Sequence, residues 1–201
     1  MGPIECMHAR RSIRAYKADA VGREVIEEIL WATVQAPTPP VSGNEAWAIC
    51  VVEGQDRLEK YGERARLFAF EHQPPERPWE WTVRPGFKVF WGAPVLVLLC
   101  ARVGNSEAPF DCCRAGQNLL LAAHAKGLGA CWVGAPIPWL SEKQTQLELG
   151  VPEGFVPAVA IILGHAAESP AGSPRPRPNP LVVSAVTPNP SFKRTCLRHA
   201  A

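Results

Sequence analysis

Apolar residues recur at helical spacing at Val25, Ile26, Ile29, Leu30 and Val34, with Arg23, Glu24, Glu27 and Glu28 on the opposite face. This predicts an amphipathic helix that ends before Pro37. Three later stretches follow a different pattern. Residues 47–52 (WAICVV), 94–101 (PVLVLLCA) and 158–163 (AVAIIL) are apolar without alternation over strand length, so both faces of each strand should be covered.

Between the last two runs, Asp111 is positioned to cap a helix running to Lys126, whose interior mixes Leu119, Leu120 and Leu121 with Ala115, Gly116, Ala122 and Ala123. Such a helix is buried on most sides. Ser141 and Gln144 form a capping-box pattern that opens a short helix, closed by Gly150 and Pro152. Between residues 68 and 91, Phe70, Trp79, Trp81, Phe87, Phe90 and Trp91 alternate with Pro74, Pro75, Pro78 and Pro85. Prolines at that density disfavour a long helix or a central strand, and the segment reads as an irregular lid.

Strands separated by helices, without regular βαβ spacing, imply an α+β architecture in which a mixed or antiparallel sheet lies between helical layers. Residues 1–186 read as one domain, with the lid inserted at 68–91. The proline-broken stretch 187–201 reads as a disordered tail.

Composition narrows the functional classes. The 201 residues are 47% hydrophobic and 20% charged, as in an ordinary globular protein. A net charge of +2 gives no electrostatic case for nucleic acid or an anionic membrane as partner. The apolar runs are too short to span a bilayer and the N-terminus lacks a signal-peptide core, so a cytoplasmic location is expected. Seven cysteines with no C-x-x-C pair read as buried thiols in a reducing compartment.

The chain lacks a G-x-x-x-x-G-K-[ST] loop, a G-x-S-x-G elbow and an H-E-x-x-H pair, and its five histidines are scattered, so no metal site is expected. The glycines of GLGACWVG have the wrong spacing and follow a helix, which argues against a Rossmann fingerprint. More informative is RRSIRAY, where Arg10, Arg11, Ser12 and Arg14 gather guanidinium forks and a hydroxyl that match phosphate oxygens. Alone, such a run is more often a solvated basic face. Arg175 and Arg177, held out by alternating prolines, are a candidate counterpart, or simply part of a proline-rich tail.

Taken in order, RRSIRAY, the SGNEAW turn, GAPVLVLLCA, DCCRAGQNLLLAAHAKGLGACWVG and LGVPEGFVPAVAIILGH before a basic pair resemble the FMN-dependent nitroreductase family over residues 8–186. The resemblance implies an α+β sandwich and an intertwined homodimer with FMN at the subunit interface. It places Arg10, Ser12 and Arg14 on the FMN phosphate, ribityl chain and pyrimidine edge, with Arg11 contributing backbone. Lys88 corresponds to a lysine near the pyrimidine carbonyl, Gly134 to a backbone N–H facing the central flavin nitrogen, and Arg175 and Arg177 to a basic pair on the phosphate. Asn44 corresponds to a flavin-edge contact, although SGNEAW puts Glu45 and Ala46 where Gln and Pro are usual.

By the same resemblance, NAD(P)H reduces the flavin and a small-molecule electron acceptor, nitroaromatic or quinone, reoxidises it in a ping-pong cycle without a catalytic side chain. The segment 68–91 falls where relatives place a mobile cover, so Trp79 and Trp81 are substrate-binding candidates, or else pack the cover in place. A flavin-binding sensory protein, and the dehalogenase, azoline oxidase or flavin-fragmenting activities of related proteins, are the alternatives.

Overall fold

The computed structural model describes residues 2–38, 47–74, 76 and 79–167. Within them, helix α1 (Pro3–Ala9) and helix α2 (Arg23–Thr33) precede strand β1 (Trp47–Glu53), helix α3 (Gln55–His72) and the short helix α4 (Glu80–Val83). Strand β2 (Val95–Arg102), helix α5 (Ala108–Ala125), strand β3 (Gly129–Trp132), helices α6 (Ile137–Leu140) and α7 (Lys143–Leu149), and strand β4 (Phe155–Gly164) complete the order. The strands form one four-stranded sheet ordered β1-β2-β4-β3, with every pair antiparallel.

The continuous apolar runs are explained by what covers them. On the central strand β2, Val95, Val97, Leu99 and Ala101 join a core with Ile26, Ile29, Ala115 and Leu119 from α2 and α5. The alternate residues Leu96, Leu98 and Cys100 join a second core with Leu58, Ala65, Trp139 and Leu140 from α3 and α6. β4 divides in the same way, with Val159, Ile161 and Leu163 on one side and Ala160 and Ile162 on the other. Each fully buried Leu or Ile contributes about 1.5–3 kcal/mol relative to exposure, so a strand buried on both faces favours apolar residues at every position. β1 departs from this expectation: it is an edge strand, and Trp47, Ala48, Ile49, Cys50 and Val51 are only half-buried.

Two helix starts differ from the sequence expectation. α5 begins at Ala108 with Glu107 at its N-cap, and Asp111 lies inside the first turn, buried and ion-paired with Arg114. Its carboxylate still favours the positive end of the helix dipole, but through that turn rather than as a cap. α7 starts after Glu142, with no side-chain cap, while the Ser141 hydroxyl donates 2.8 Å back to the Ile137 carbonyl and so ends α6. Gly150, at φ 69°, closes α7 in the left-handed conformation that glycine adopts without penalty.

The lid expectation is also corrected in part. Residues 68–72 are the last turns of α3, not irregular chain. Beyond them the segment is fastened to that helix: the Gln73 side-chain oxygen accepts from the Trp79 N–H at 2.9 Å and from the buried Thr82 hydroxyl at 3.1 Å. Arg66 on α3 donates to the Thr82 carbonyl. Phe68, Trp81, Phe87 and Trp91 then pack against the second core.

Candidate functional site

The arginine-rich segment lies in extended form along the outer edge of β3. Ser12 bridges Ala130 in parallel, and the Ile13 N–H donates to the Ala130 carbonyl at 3.1 Å. Further on, Tyr16 bridges Ala166 antiparallel, and the Lys17 N–H donates to the His165 carbonyl at 2.9 Å. Ile13 is buried against Gly129 so closely that an added β-carbon there would meet it at 2.8 Å. Only glycine allows this approach.

Alternation along the extended segment places Ser12, Arg14 and Tyr16 on one side. All three surround Cys131 of β3. Burial pushes the Cys131 thiol up from its ordinary pKa, while Arg14, the Ser12 hydroxyl and Arg10 pull it down less strongly. Burial likewise pushes Tyr16 well above the ordinary phenol range, with Cys131 adding and Arg14 opposing, and its hydroxyl donates 2.8 Å to the Ile13 carbonyl. Both groups are therefore neutral near pH 7 and neither is an activated nucleophile. Tyr16 instead fixes the turn that carries Arg14.

Gly134 lies just past the end of β3, exposed, with open space where a side chain would be. Its carbonyl accepts from the Ile137 N–H at 3.1 Å, while its own N–H has no hydrogen-bond partner among the described residues. The edge thus gathers Arg10, Ser12, Arg14 and a backbone N–H. Such a set of donors suits an oxygen-rich anionic ligand.

Arg11 is engaged otherwise: its guanidinium donates to the carbonyls of His8 at 2.7 Å and Arg10 at 2.9 Å, capping the C-terminal end of α1. Lys88 is exposed and ion-paired with Glu59 of α3, so its charge is compensated within the protein. Asn44, Arg175 and Arg177 lie outside the described residues.

Trp79 and Trp81 are stacked with centroids 6.2 Å apart and ring planes at 9°. They join the arginine segment through a continuous aromatic series. Trp81 meets Phe87 at 5.6 Å, Phe87 meets Trp91 edge-on at 5.2 Å, and the Arg14 guanidinium lies over the Trp91 ring at 6.0 Å. Trp91 was not singled out from the sequence, yet its backbone is unusual. It has φ 55°, followed by Gly92 at φ 75°, and the Ala93 N–H closes the turn onto the Phe90 carbonyl at 2.9 Å. Two successive positive φ values define a type I′ turn, in which Asn or Gly is usual at the first position, and a bulky residue there costs about 1–3 kcal/mol.

Among the described residues, no cluster of His, Cys, Asp or Glu could hold a metal ion, and no helix is long and apolar enough to cross a membrane. Cys6, Cys100, Cys112 and Cys131 are buried free thiols, while Cys50 is half-buried and Cys113 exposed.

A four-stranded antiparallel sheet enclosed by helices, with Arg10, Ser12 and Arg14 gathered along its β3 edge, defines an α+β protein. The family model described as the nitroreductase family matches residues 7–165, and the chain belongs to that family. A provisionally named NADH dehydrogenase/NAD(P)H nitroreductase of Methanothermobacter thermautotrophicus is 33% identical over 175 residues, covering 85% of this chain and 80% of the relative. A relative of the same name from Archaeoglobus fulgidus is 30% identical, covering 81% and 84%. Among solved structures, a nitroreductase with bound FMN from Bacteroides fragilis superposes with a TM-score of 0.79 at 25% identity, covering 92% of this chain and all of that one.

Proposed function

We propose that this protein is an oxidoreductase that binds FMN and passes electrons from NADH or NADPH to a small organic acceptor of the nitroaromatic or quinone class. The observation that carries the reading is the row of donors along β3. Arg10, Ser12, Arg14 and the Gly134 N–H can all donate toward a ligand at this edge, and the FMN phosphate, ribityl hydroxyls and ring carbonyls and nitrogens are acceptors that fit them. When bound, FMN supplies the two-electron chemistry, taking hydride from a nicotinamide in one half-reaction and giving electrons to an acceptor in the next.

The chain's own residues supply binding and orientation. Arg10 and Arg14 hold the anionic group, Ser12 adds a hydroxyl contact, and Gly134 leaves the flavin side of the strand end open because it carries no side chain. Neutral Tyr16 and Cys131 back the site without adding charge. A sheet edge positioned in this way leaves the reaction to the cofactor.

A homodimer fits the same reading. α1, α2 and α5 pack together and leave Ile4 65%, Met7 51%, Trp31 71% and Phe110 59% exposed. Large apolar side chains left exposed on one helical layer fit burial against a second copy.

The deciding experiment is an absorbance spectrum of the purified protein, followed by anaerobic titration with NADH and NADPH and sedimentation of the same sample. The expected result is a yellow dimer bleached by at least one nicotinamide. A colourless protein that takes up no added FMN would overturn the reading, and a yellow protein bleached by neither nicotinamide would make it a flavin-binding protein without this turnover.

Trp79 and Trp81 test the acceptor side. If planar acceptors stack on them, Trp79→Ala or Trp81→Ala should change the relative kcat/KM values of different acceptors while FMN content and Tm stay near wild type. A uniform loss across acceptors together with a fall in Tm would assign the pair to packing.

A further inference from the structure

We propose that Trp91 is a positioning residue for Arg14, holding its guanidinium over the indole face so that it is already aimed at the FMN site before the cofactor binds. This rests on the reading that Arg14 contacts FMN. Three observations converge on it. First, Arg14 is an exposed side chain whose guanidinium is not left to solvent alone: it lies 6.0 Å above the Trp91 ring, within the range in which a cation is held by an aromatic face. Second, Trp91 occupies the first central position of a turn with φ 55°, where glycine or asparagine would fit without strain. The indole is thus kept at a position whose backbone disfavours it. Third, the ring is braced from behind. Phe87 meets it edge-on at 5.2 Å with planes at 72°, and the Gln55 side chain fixes the turn by donating to the Gly92 carbonyl at 3.0 Å.

The other groups near Arg14 do not replace this contact. Tyr16 and Cys131 are both neutral, so neither offers the guanidinium an opposite charge. No ion pair joins Arg14 to a carboxylate among the described residues, so the aromatic face is the interaction that orients it. An arginine held in this way loses less side-chain freedom when it grips an anion, and the saving appears as cofactor affinity. Lysine could not substitute fully, because only the planar guanidinium can stack on the ring while presenting a donor edge to the ligand.

The test is a double-mutant cycle on the full-length protein, read as the FMN dissociation constant from quenching of flavin fluorescence. Trp91→Leu keeps apolar bulk and removes the aromatic face, and Trp91→Phe keeps a weaker one. With Arg14 present, Trp91→Leu should weaken FMN binding about fivefold, and Trp91→Phe should weaken it less. In the Arg14→Ala background, neither Trp91 substitution should weaken binding further. Equal losses in both backgrounds would make Trp91 a structural residue and overturn the proposal. A marked loss in Arg14→Ala with none in Trp91→Leu would overturn it while leaving the FMN reading intact. No loss in Arg14→Ala itself would remove Arg14 from the site and the proposal with it. Should Trp91→Leu fail to fold, the Trp91→Phe cycle decides alone, since a loss that vanishes with Arg14→Ala supports the contact and one that persists overturns it.

Discussion

Replacing Gly129 by alanine is expected to damage stability and FMN binding together. The new methyl group would fall 2.8–2.9 Å from three atoms of Ile13, closer than real side-chain contacts allow. Ile13 is buried and its N–H is hydrogen-bonded to Ala130, so it cannot yield without shifting the segment that carries Ser12 and Arg14. Overpacking of this kind costs about 1–3 kcal/mol, which for a domain of this size corresponds to a fall in Tm of roughly 2–12 °C. Displacing the donors should also lower FMN affinity by about a decade or more. Adding Ile13→Ala to Gly129→Ala should restore part of the affinity, because it removes the two nearest atoms of the clash. Thermal melts and FMN titrations of both variants check this. A Gly129→Ala protein with wild-type Tm and affinity would mean that the N-terminal segment does not pack on β3 as described.

Arg10→Ala and Arg14→Ala should each lower FMN affinity with little change in fold. Arg10 is partly exposed and Arg14 exposed, so their truncation empties no core volume. Each loses a charge-assisted contact worth about 1.5–3 kcal/mol, or about one to two decades in the dissociation constant. The loss should shrink as ionic strength rises, because salt screens the attraction that each guanidinium adds toward the phosphate. Far-UV circular dichroism should remain unchanged. Unaltered FMN affinity in both variants would exclude the pair from the site.

The sheet was legible because its two central strands carry a pattern that only two-sided burial explains, and their residues divide between two cores as the apolar runs imply. α3 was not read from the sequence. Its buried stripe is Leu58 followed by Gly62, Ala65 and Ala69, so beyond the first turn the periodicity runs through small residues among charged ones and carries little hydrophobic bulk to reveal it. β3, only four residues long between a helix and a turn, was also missed.

At the site, the grouping of Arg10, Ser12 and Arg14 was legible because it is local in sequence. What the sequence could not reveal was how each side chain is engaged. The Arg11 guanidinium closes α1, which leaves the backbone contact that the resemblance gave this residue, and Lys88 pairs with Glu59. Trp91 was read only as one of the lid aromatics, because its role arises from a turn conformation and from an arginine far away along the chain. A Trp-Gly pair directly before an apolar strand was the available signal, since Gly92 marked a turn and the tryptophan before it was out of place there.

The attachment of the first strand segment to the last part of the fold also governs the order in which the molecule is completed. Ser12 pairs with Ala130 and Tyr16 with Ala166, partners that leave the ribosome more than a hundred residues later. Loop closure over that distance comes late, after the local helices and the β1-β2 pair can form. The arginines that begin the chain are therefore among the last groups to reach their final positions, and a nascent or truncated chain lacking β4 would carry them without a surface on which to arrange them. If these arginines hold FMN as proposed, cofactor capture has to wait until β3 and β4 are in place.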